Sequence, residues 1–594
     1  MTTRPAGQVF FASHRRDVTY QPNAQAKDGS ASLRALFRPS TFVPLIFAVV
    51  ASFSLALMLT GCGAPTTPTL KPVPKGGGTV VVPTDDKTPP GPGPKLVPPT
   101  ISDVASNDKP KEHAPPKTAA TEPPLFKDWP EPKFVFFLTG QQMGYIEPCG
   151  CTGLANQKGG LARRATLIKE LREKRKWEVV PIDVGSQIMR YGKQSEIKFQ
   201  KTADGLRKMG YQAVALGADD LKLTPGDLLA ATNPDDKPSI FTSVNVALLD
   251  RTLTPRFRII EAGGKKIGII AVLGDSAEKK LKGDELMHSP ALESLKTAAV
   301  EVQGQKCDLY VLLAHASMDE TQKLAQAVPI FDLVVTAGGV GEPTHELAKI
   351  EGTKSLLAQV GTKGMYVGVV GVFDDANKLA DKQPLRYQRI PLGSQYGDDE
   401  GMIKLLAEYQ TQLEQMGLAE LGATEISHSS GHKFVGTAKC GECHTKALAI
   451  WEKTPHAHAT DSLQKPPKEA VSARTKIPRH HDPECLSCHV TGWDAEKYYP
   501  YKSGYLGLEK TAHLAASGCE NCHGPGSAHV AAESGESKLG EAEIQKLRSE
   551  MKLPLAGGIA ERHCAKCHDG DNDPDFSDKT FEKYWKQIEH KGKD

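Results

Sequence analysis

One short pattern, Cys-x-x-Cys-His, occurs four times near the end of the chain and restricts its fold more tightly than any other feature. The copies are Cys440-Gly-Glu-Cys443-His444, Cys485-Leu-Ser-Cys488-His489, Cys519-Glu-Asn-Cys522-His523 and Cys564-Ala-Lys-Cys567-His568. They hold eight of the twelve cysteines, and fourteen of the nineteen histidines lie beyond residue 427. A segment so rich in metal-capable side chains is organised around metal chemistry rather than an apolar core. Structural zinc also uses Cys-x-x-Cys knuckles, but zinc gives no reason for a histidine directly after every second cysteine. Covalent haem does. Each thiol adds to one vinyl group, the two-residue spacer lets both reach one macrocycle edge, and the next histidine lies under the iron. Four haem c groups are expected, with His444, His489, His523 and His568 as proximal ligands.

Met551 is the sole methionine after Met416, so histidine is the default sixth ligand, which favours lower potentials than His/Met ligation. Ten further histidines are available: His428, His432, His456, His458, His480, His481, His513, His529, His563 and His590. Any single one of them could equally be a solvated surface residue. The flanking sequences narrow the choice. GTAKCGECHTKALAIWEKTPHAHA at 436–459, CENCHGPGSAHV at 519–530 and DPDFSDKTFEKYWKQIEH at 573–590 resemble the tetrahaem cytochrome c five-five-four family. That resemblance covers about 434–592 and implies distal roles for His456 and His529, with His458, His481, His513 and His590 as weaker candidates. It also implies that one haem can remain five-coordinate. Short linkers leave little room for apolar packing, so the haems should form the core of a mostly helical domain with little regular structure.

The other end of the chain reads as an export signal. Thr41 to Leu59 is uncharged and apolar, follows Arg34 and Arg38, and ends in Leu59-Thr60-Gly61-Cys62. This ending is similar to the bacterial lipobox, which makes Cys62 the lipidated first residue of the mature protein. The alternative is an uncleaved membrane anchor. Both place the chain outside the cytoplasm, as a periplasmic or outer-membrane protein, and c-type haem attachment agrees with export. Residues 62–133 are rich in Pro, Thr, Lys and Gly and read as a disordered tether.

Between tether and haem motifs, short apolar runs alternate with helical patterns. Strands are expected at 134–138, 179–184, 213–216, 266–272, 309–313, 333–335 and 366–372, and helices at 161–174 and 199–208. The motifs LTGQQMGYIEP (138–148), GGLARRATLIKELR (159–172), PIDVGS (181–186), GYQAVALGADDL (210–221), SVNV (243–246), KKIGIIAVLG (265–274), LLAHAS (312–317) and DLVVTAGGVGEP (332–343) follow in order. They resemble the calcineurin-like metallophosphoesterases of the 5′-nucleotidase branch. The resemblance implies an α/β four-layer sandwich over 134–398, with a helical connector at 399–433 before the haem domain at 434–594.

The same comparison argues against the family's chemistry. Two-metal hydrolysis needs carboxylate, Asn and His ligands converging on two cations. Those positions fall on Gln141, Met143, Ser186, Ala218, Asp219 and Gly338 to Gly341, and only His315 keeps its identity. No dinuclear metal centre is therefore expected. Cys149-Gly-Cys151 follows the first strand and admits several readings: a strained or structural disulfide, a soft-metal site, or a reactive thiolate pair near Lys158, Arg163 and Arg164. A net charge of +2 gives no reason to expect nucleic acid. The expected partners are redox proteins and, through the lipid anchor, the membrane. The leading expectation is an exported electron carrier. Behind it stand a redox enzyme acting on a small nitrogen or sulfur compound at an open haem or at Cys149/Cys151, and then a redox-linked phosphoesterase.

Overall fold

The computed structural model describes residues 124–148, 157–190, 192–234, 238–278, 286–374, 384–465, 472–573 and 575–590. The export signal, Cys62, most of the tether, Cys149 and Cys151 lie outside them. Among the described residues no helix is long and apolar enough to cross a membrane.

The strand Phe134–Thr139 sets the architecture. Phe134, Phe136 and Leu138 point to one face, Val135 and Phe137 to the other, and all five are buried. A strand apolar on both faces must lie inside a sheet covered on both sides. It sits third in a six-stranded sheet ordered Leu385–Pro391, Tyr366–Val372, Phe134–Thr139, Val179–Asp183, Ala213–Ala215, Phe241–Thr242. Pairing is parallel to Val179–Asp183 and antiparallel to Tyr366–Val372. A second sheet of six strands runs Ala348–Lys349, Leu356–Gln359, Leu333–Thr336, Leu309–His315, Lys265–Leu273, Phe257–Ala262.

Three apolar clusters divide these elements into four layers. Phe136, Ile182, Ile269 and Leu313 meet between the sheets. On the first sheet's outer face, Phe137 and Val214 pack against Phe199 and Leu206 of helix Lys193–Met209 and Leu405 of helix Glu400–Glu420. On the second sheet's outer face, Ile270 and Leu312 pack against Leu295 and Leu324 from two further helices. Each such fully buried side chain contributes roughly 1.5–3 kcal/mol. The result is helix, sheet, sheet, helix.

The expected strands are present with small shifts at their ends. Leu385–Pro391 (LRYQRIP) was not expected, because its apolar residues are interrupted by charged ones. Helix Lys193–Met209 begins six positions before the expected start, where Gly192 at φ 104° turns the chain into it. Near the start of the described chain, Phe126 packs edge-on against Trp129 and Trp177. The last residues of the expected tether therefore join the folded body.

Beyond residue 433 the elements are short helices and one two-stranded hairpin, Trp493–Asp494 with Tyr499–Pro500. Their main apolar cluster has eight buried members, including Phe434, Leu486, Trp493 and Tyr505. The two folded parts pack on each other as one unit.

Asp220 ties two sheet-end loops of the sandwich together. Its carboxylate accepts the N–H groups of Gln187 at 2.7 Å, Ser186 and Gly217 at 2.9 Å, and Ile188 at 3.2 Å. Burial pushes its pKa up to about 7, and the four donors act against that rise. At pH 8, Asp220→Asn turns an amide N–H group toward backbone donors and should cost about 2 kcal/mol in chemical denaturation. An unchanged midpoint would contradict this role.

Candidate haem centres

The second attachment motif lies on one helix, Pro483–His489, with Cys485 and Cys488 a turn apart. The third is the short helix Cys519–His523. In the first and fourth motifs the histidine N–H bonds back to the carbonyl of the leading cysteine, His444 to Cys440 at 3.0 Å and His568 to Cys564 at 2.9 Å. This helical turn puts both thiols and the following imidazole on one side of the chain, as a single macrocycle requires.

The motifs also meet one another. The Cys440 and Cys519 side chains lie close together, as do those of Cys488 and Cys567. Cys522 lies within electrostatic reach of both Cys564 and Cys567. Proximity therefore runs from the first motif to the third, on to the fourth, and then to the second.

Histidine orientation suits iron. His489 Nδ1 donates to Ala459 O at 2.8 Å, His523 Nδ1 to Met551 O at 2.6 Å, and His568 Nδ1 to Asp573 Oδ2 at 2.7 Å. A donor at Nδ1 leaves Nε2 as the ligand atom and fixes the ring. Burial lowers the pKa of His456, His489, His523 and His529, which favours the neutral imidazole that binds metal.

Three of the four motif histidines face a second imidazole. Ring centres are 6.3 Å apart for His444 and His529, 5.9 Å for His456 and His568, and 5.8 Å for His523 and His590. An iron bridged by two imidazoles, with metal–nitrogen bonds of about 2 Å, separates ring centres by roughly 6 Å. These residues fit haem iron. His489 has no such ring partner among the described residues. Of the other candidates, His458 is exposed beside Asp461, His481 stacks on His480 with centres 4.0 Å apart, and His513 packs over Gly436. The sequence offered His590 only as a weak candidate, because nothing local marks which proximal ring it meets.

The donor set in the sandwich does not fit a two-metal centre. His315 Nδ1 lies 2.9 Å from Val184 O and its Nε2 lies 3.4 Å from Ser186 Oγ. The Gln141 amide donates to Ala337 O at 2.7 Å, and Asp219 pairs with Lys222. Among the described residues no three His, Cys, Asp or Glu side chains converge as a metal site. The loop backbone is nonetheless strained at these same positions: Gln141, Met143 and Ser186 hold φ of 48°, 55° and 61°. Arg163 and Arg164, close in sequence to Cys149 and Cys151, are buried. Arg163 donates to Leu392 O, and Arg164 lies 4.0 Å from Asp183.

Polar contacts tie the sandwich to the second attachment helix. Asp482 caps that helix by accepting the Glu484 N–H, and it also receives the Gln194 amide at 2.7 Å and the Gln410 amide at 2.9 Å. Lys198 Nζ meets Glu484 at 2.6 Å, and Arg190 meets it at 3.3 Å while lying 3.8 Å over the Tyr498 ring. Glu147 accepts Arg479 and Arg474. Burial pushes the Glu147 carboxyl up, but the two guanidiniums more than offset this and hold it below the usual range. None of these contacts is visible in the sequence, since single polar residues carry no motif.

Comparison with known proteins divides the chain in the same way. Residues 439–524 match the family described as Cytochrome c554 and c-prime. Cytochrome c-554 of Nitrosomonas europaea is 34% identical over 97 residues, 16% of this chain and 39% of that protein. An apyrase of Aedes albopictus is 25% identical over 303 residues, covering 46% of this chain and 53% of the apyrase. Among solved structures, a 5′-nucleotidase precursor from Thermus thermophilus matches with a TM-score of 0.41 and 19% identity, over 56% of this chain and 66% of that one. The chain thus spans about half the length, or less, of the curated relatives it matches. The C-terminal part is similar to the cytochrome c554 family, and the middle part to the apyrases and 5′-nucleotidases.

Removing one partner of a half-buried ion pair strands the other charge. Glu147→Ala, which leaves Arg479 without a carboxylate and Arg474 with only Asp398 at 3.7 Å, should destabilise the seam by about 3 kcal/mol. A thermal melt followed at the haem absorbance would read this as a lowered midpoint, and an unchanged melt would rule it out.

Proposed function

We propose that this is an exported electron-transfer protein in which four covalently held haems pass electrons, and the phosphoesterase-like sandwich serves as a non-hydrolytic support. The observation that carries this reading is the set of three imidazole pairs spaced by roughly 6 Å around the attachment motifs. On this reading His444/His529, His456/His568 and His523/His590 are axial pairs. Bound haem supplies iron that cycles between the ferrous and ferric states. The chain's own residues set where that iron sits: Ala459 O, Met551 O and Asp573 hold the proximal rings, and helical turns present the thiols. The contacts between motifs give an electron route from the first haem to the third, the fourth and the second, or the reverse.

Export and lipidation at Cys62 belong to the same proposal and rest on the signal-like run and lipobox in the sequence. The partners would be a soluble or membrane-bound electron donor and acceptor, with the lipid holding the protein at the membrane.

A second reading follows from His489, whose iron would keep an open position and so could bind or convert a small nitrogen or sulfur compound. Hydrolysis of phosphate esters has no such support, because the ligand positions carry Gln141, Met143, Ser186 and Ala218.

Haem stoichiometry combined with EPR tests the proposal. The haem-loaded protein should yield four haems per chain, as its four motifs specify. Three of them should be low-spin and one high-spin, and His529→Ala should convert a further haem to high-spin. Fewer than four haems, or a spectrum unaffected by His529→Ala, would contradict the assignment.

A further inference from the structure

His568 is held by a charge, where His489 and His523 are held by carbonyls. The latter two donate from Nδ1 to Ala459 O and Met551 O, whereas His568 Nδ1 donates to Asp573 Oδ2 at 2.7 Å. Asp573 is only 7% exposed. A tight turn brings it back to the ring within five residues. Asp569 O accepts the Asp573 N–H at 2.7 Å, and Asp569 Oδ1 accepts the N–H groups of Asp571 and Asn572. Asp571, on the same turn, also receives the Tyr145 hydroxyl and Lys363 from the sandwich. From the other side, Tyr584 on helix Phe581–Ile588 donates its hydroxyl to Asp573 Oδ1 at 3.0 Å. Phe576 stacks on the His568 ring with centres 5.2 Å apart. One carboxylate oxygen thus faces His568 and the other faces Tyr584, in a setting where little water screens the charge.

We propose that Asp573 is a positioning residue that lowers the reduction potential of the haem bound through His568. The proposal rests on the reading of His456 and His568 as an axial pair. Reduction removes one positive charge from an iron centre. A carboxylate behind the proximal ring favours the more positive, ferric state. It does so through its field, and by polarising the Nδ1–H bond so that Nε2 becomes a stronger donor. A carbonyl oxygen carries only a partial charge and does less. Tyr584 opposes the effect, because its hydroxyl takes up part of the Asp573 charge.

The test is an EPR-monitored redox titration of the full-length, haem-loaded protein. His456→Ala identifies the signal to follow, since the low-spin signal of the His568 iron should disappear in it. Asp573→Asn keeps an acceptor oxygen and removes the charge. In that variant the midpoint of the identified signal should rise by about 59 mV, a tenfold change in a one-electron equilibrium. In Tyr584→Phe the carboxylate loses its second donor, and the midpoint should fall. The other low-spin signals should titrate as in the wild type. A structural role alone would not move one midpoint in opposite directions. If Asp573→Asn does not take up four haems, Tyr584→Phe decides alone, by a fall or by its absence. A midpoint that stays put in Asp573→Asn, or rises in both variants, would overturn the role of Asp573 while leaving the axial pair standing. A His456→Ala protein that keeps every low-spin signal would overturn the pair, and the proposal with it.

Discussion

The grip of the sandwich on helix Pro483–His489 is the contact on which the placement of the cytochrome domain depends. That domain has a thin apolar core, whose main cluster holds eight buried side chains. Haem insertion supplies much of the missing cohesion, but haem alone does not decide where the domain sits. Asp482 does, because one carboxylate both starts the attachment helix and receives amides from two sandwich helices. Lys198 and Arg190 converge on the next acidic residue, Glu484. A buried carboxylate with several donors is directional in a way that apolar contact is not.

This arrangement gives the sandwich a role that needs no hydrolysis. The sheet-end loops keep left-handed backbone at Gln141, Met143 and Ser186, and among the described residues no three His, Cys, Asp or Glu side chains converge there. The same end of the fold carries Tyr145 and Glu147, which reach across the seam to Asp571, Arg474 and Arg479. The loops at this end of the sheet therefore take part in holding the second domain.

Much of this was legible in the sequence where the signal is local. The four Cys-x-x-Cys-His motifs carry their chemistry within five residues, and the buried strands of the sandwich announce themselves as apolar runs. The strand Leu385–Pro391 did not, because Arg386, Gln388 and Arg389 break up its apolar residues. Neither the imidazole pairing nor the seam could be read in advance. His590 meets His523, and Gln410 meets Asp482, only through the fold. His458, His481 and His513 have no ring contact with a motif histidine among the described residues.

The central claim is that the sandwich and the haem motifs form one body with a defined order of axial ligands. A crystal structure of the haem-loaded protein tests it most directly. The account predicts that His444 with His529, His456 with His568, and His523 with His590 each bind one iron between their rings. An iron held by a different pair, or a seam in which Asp482 no longer meets Gln194 and Gln410, would contradict it.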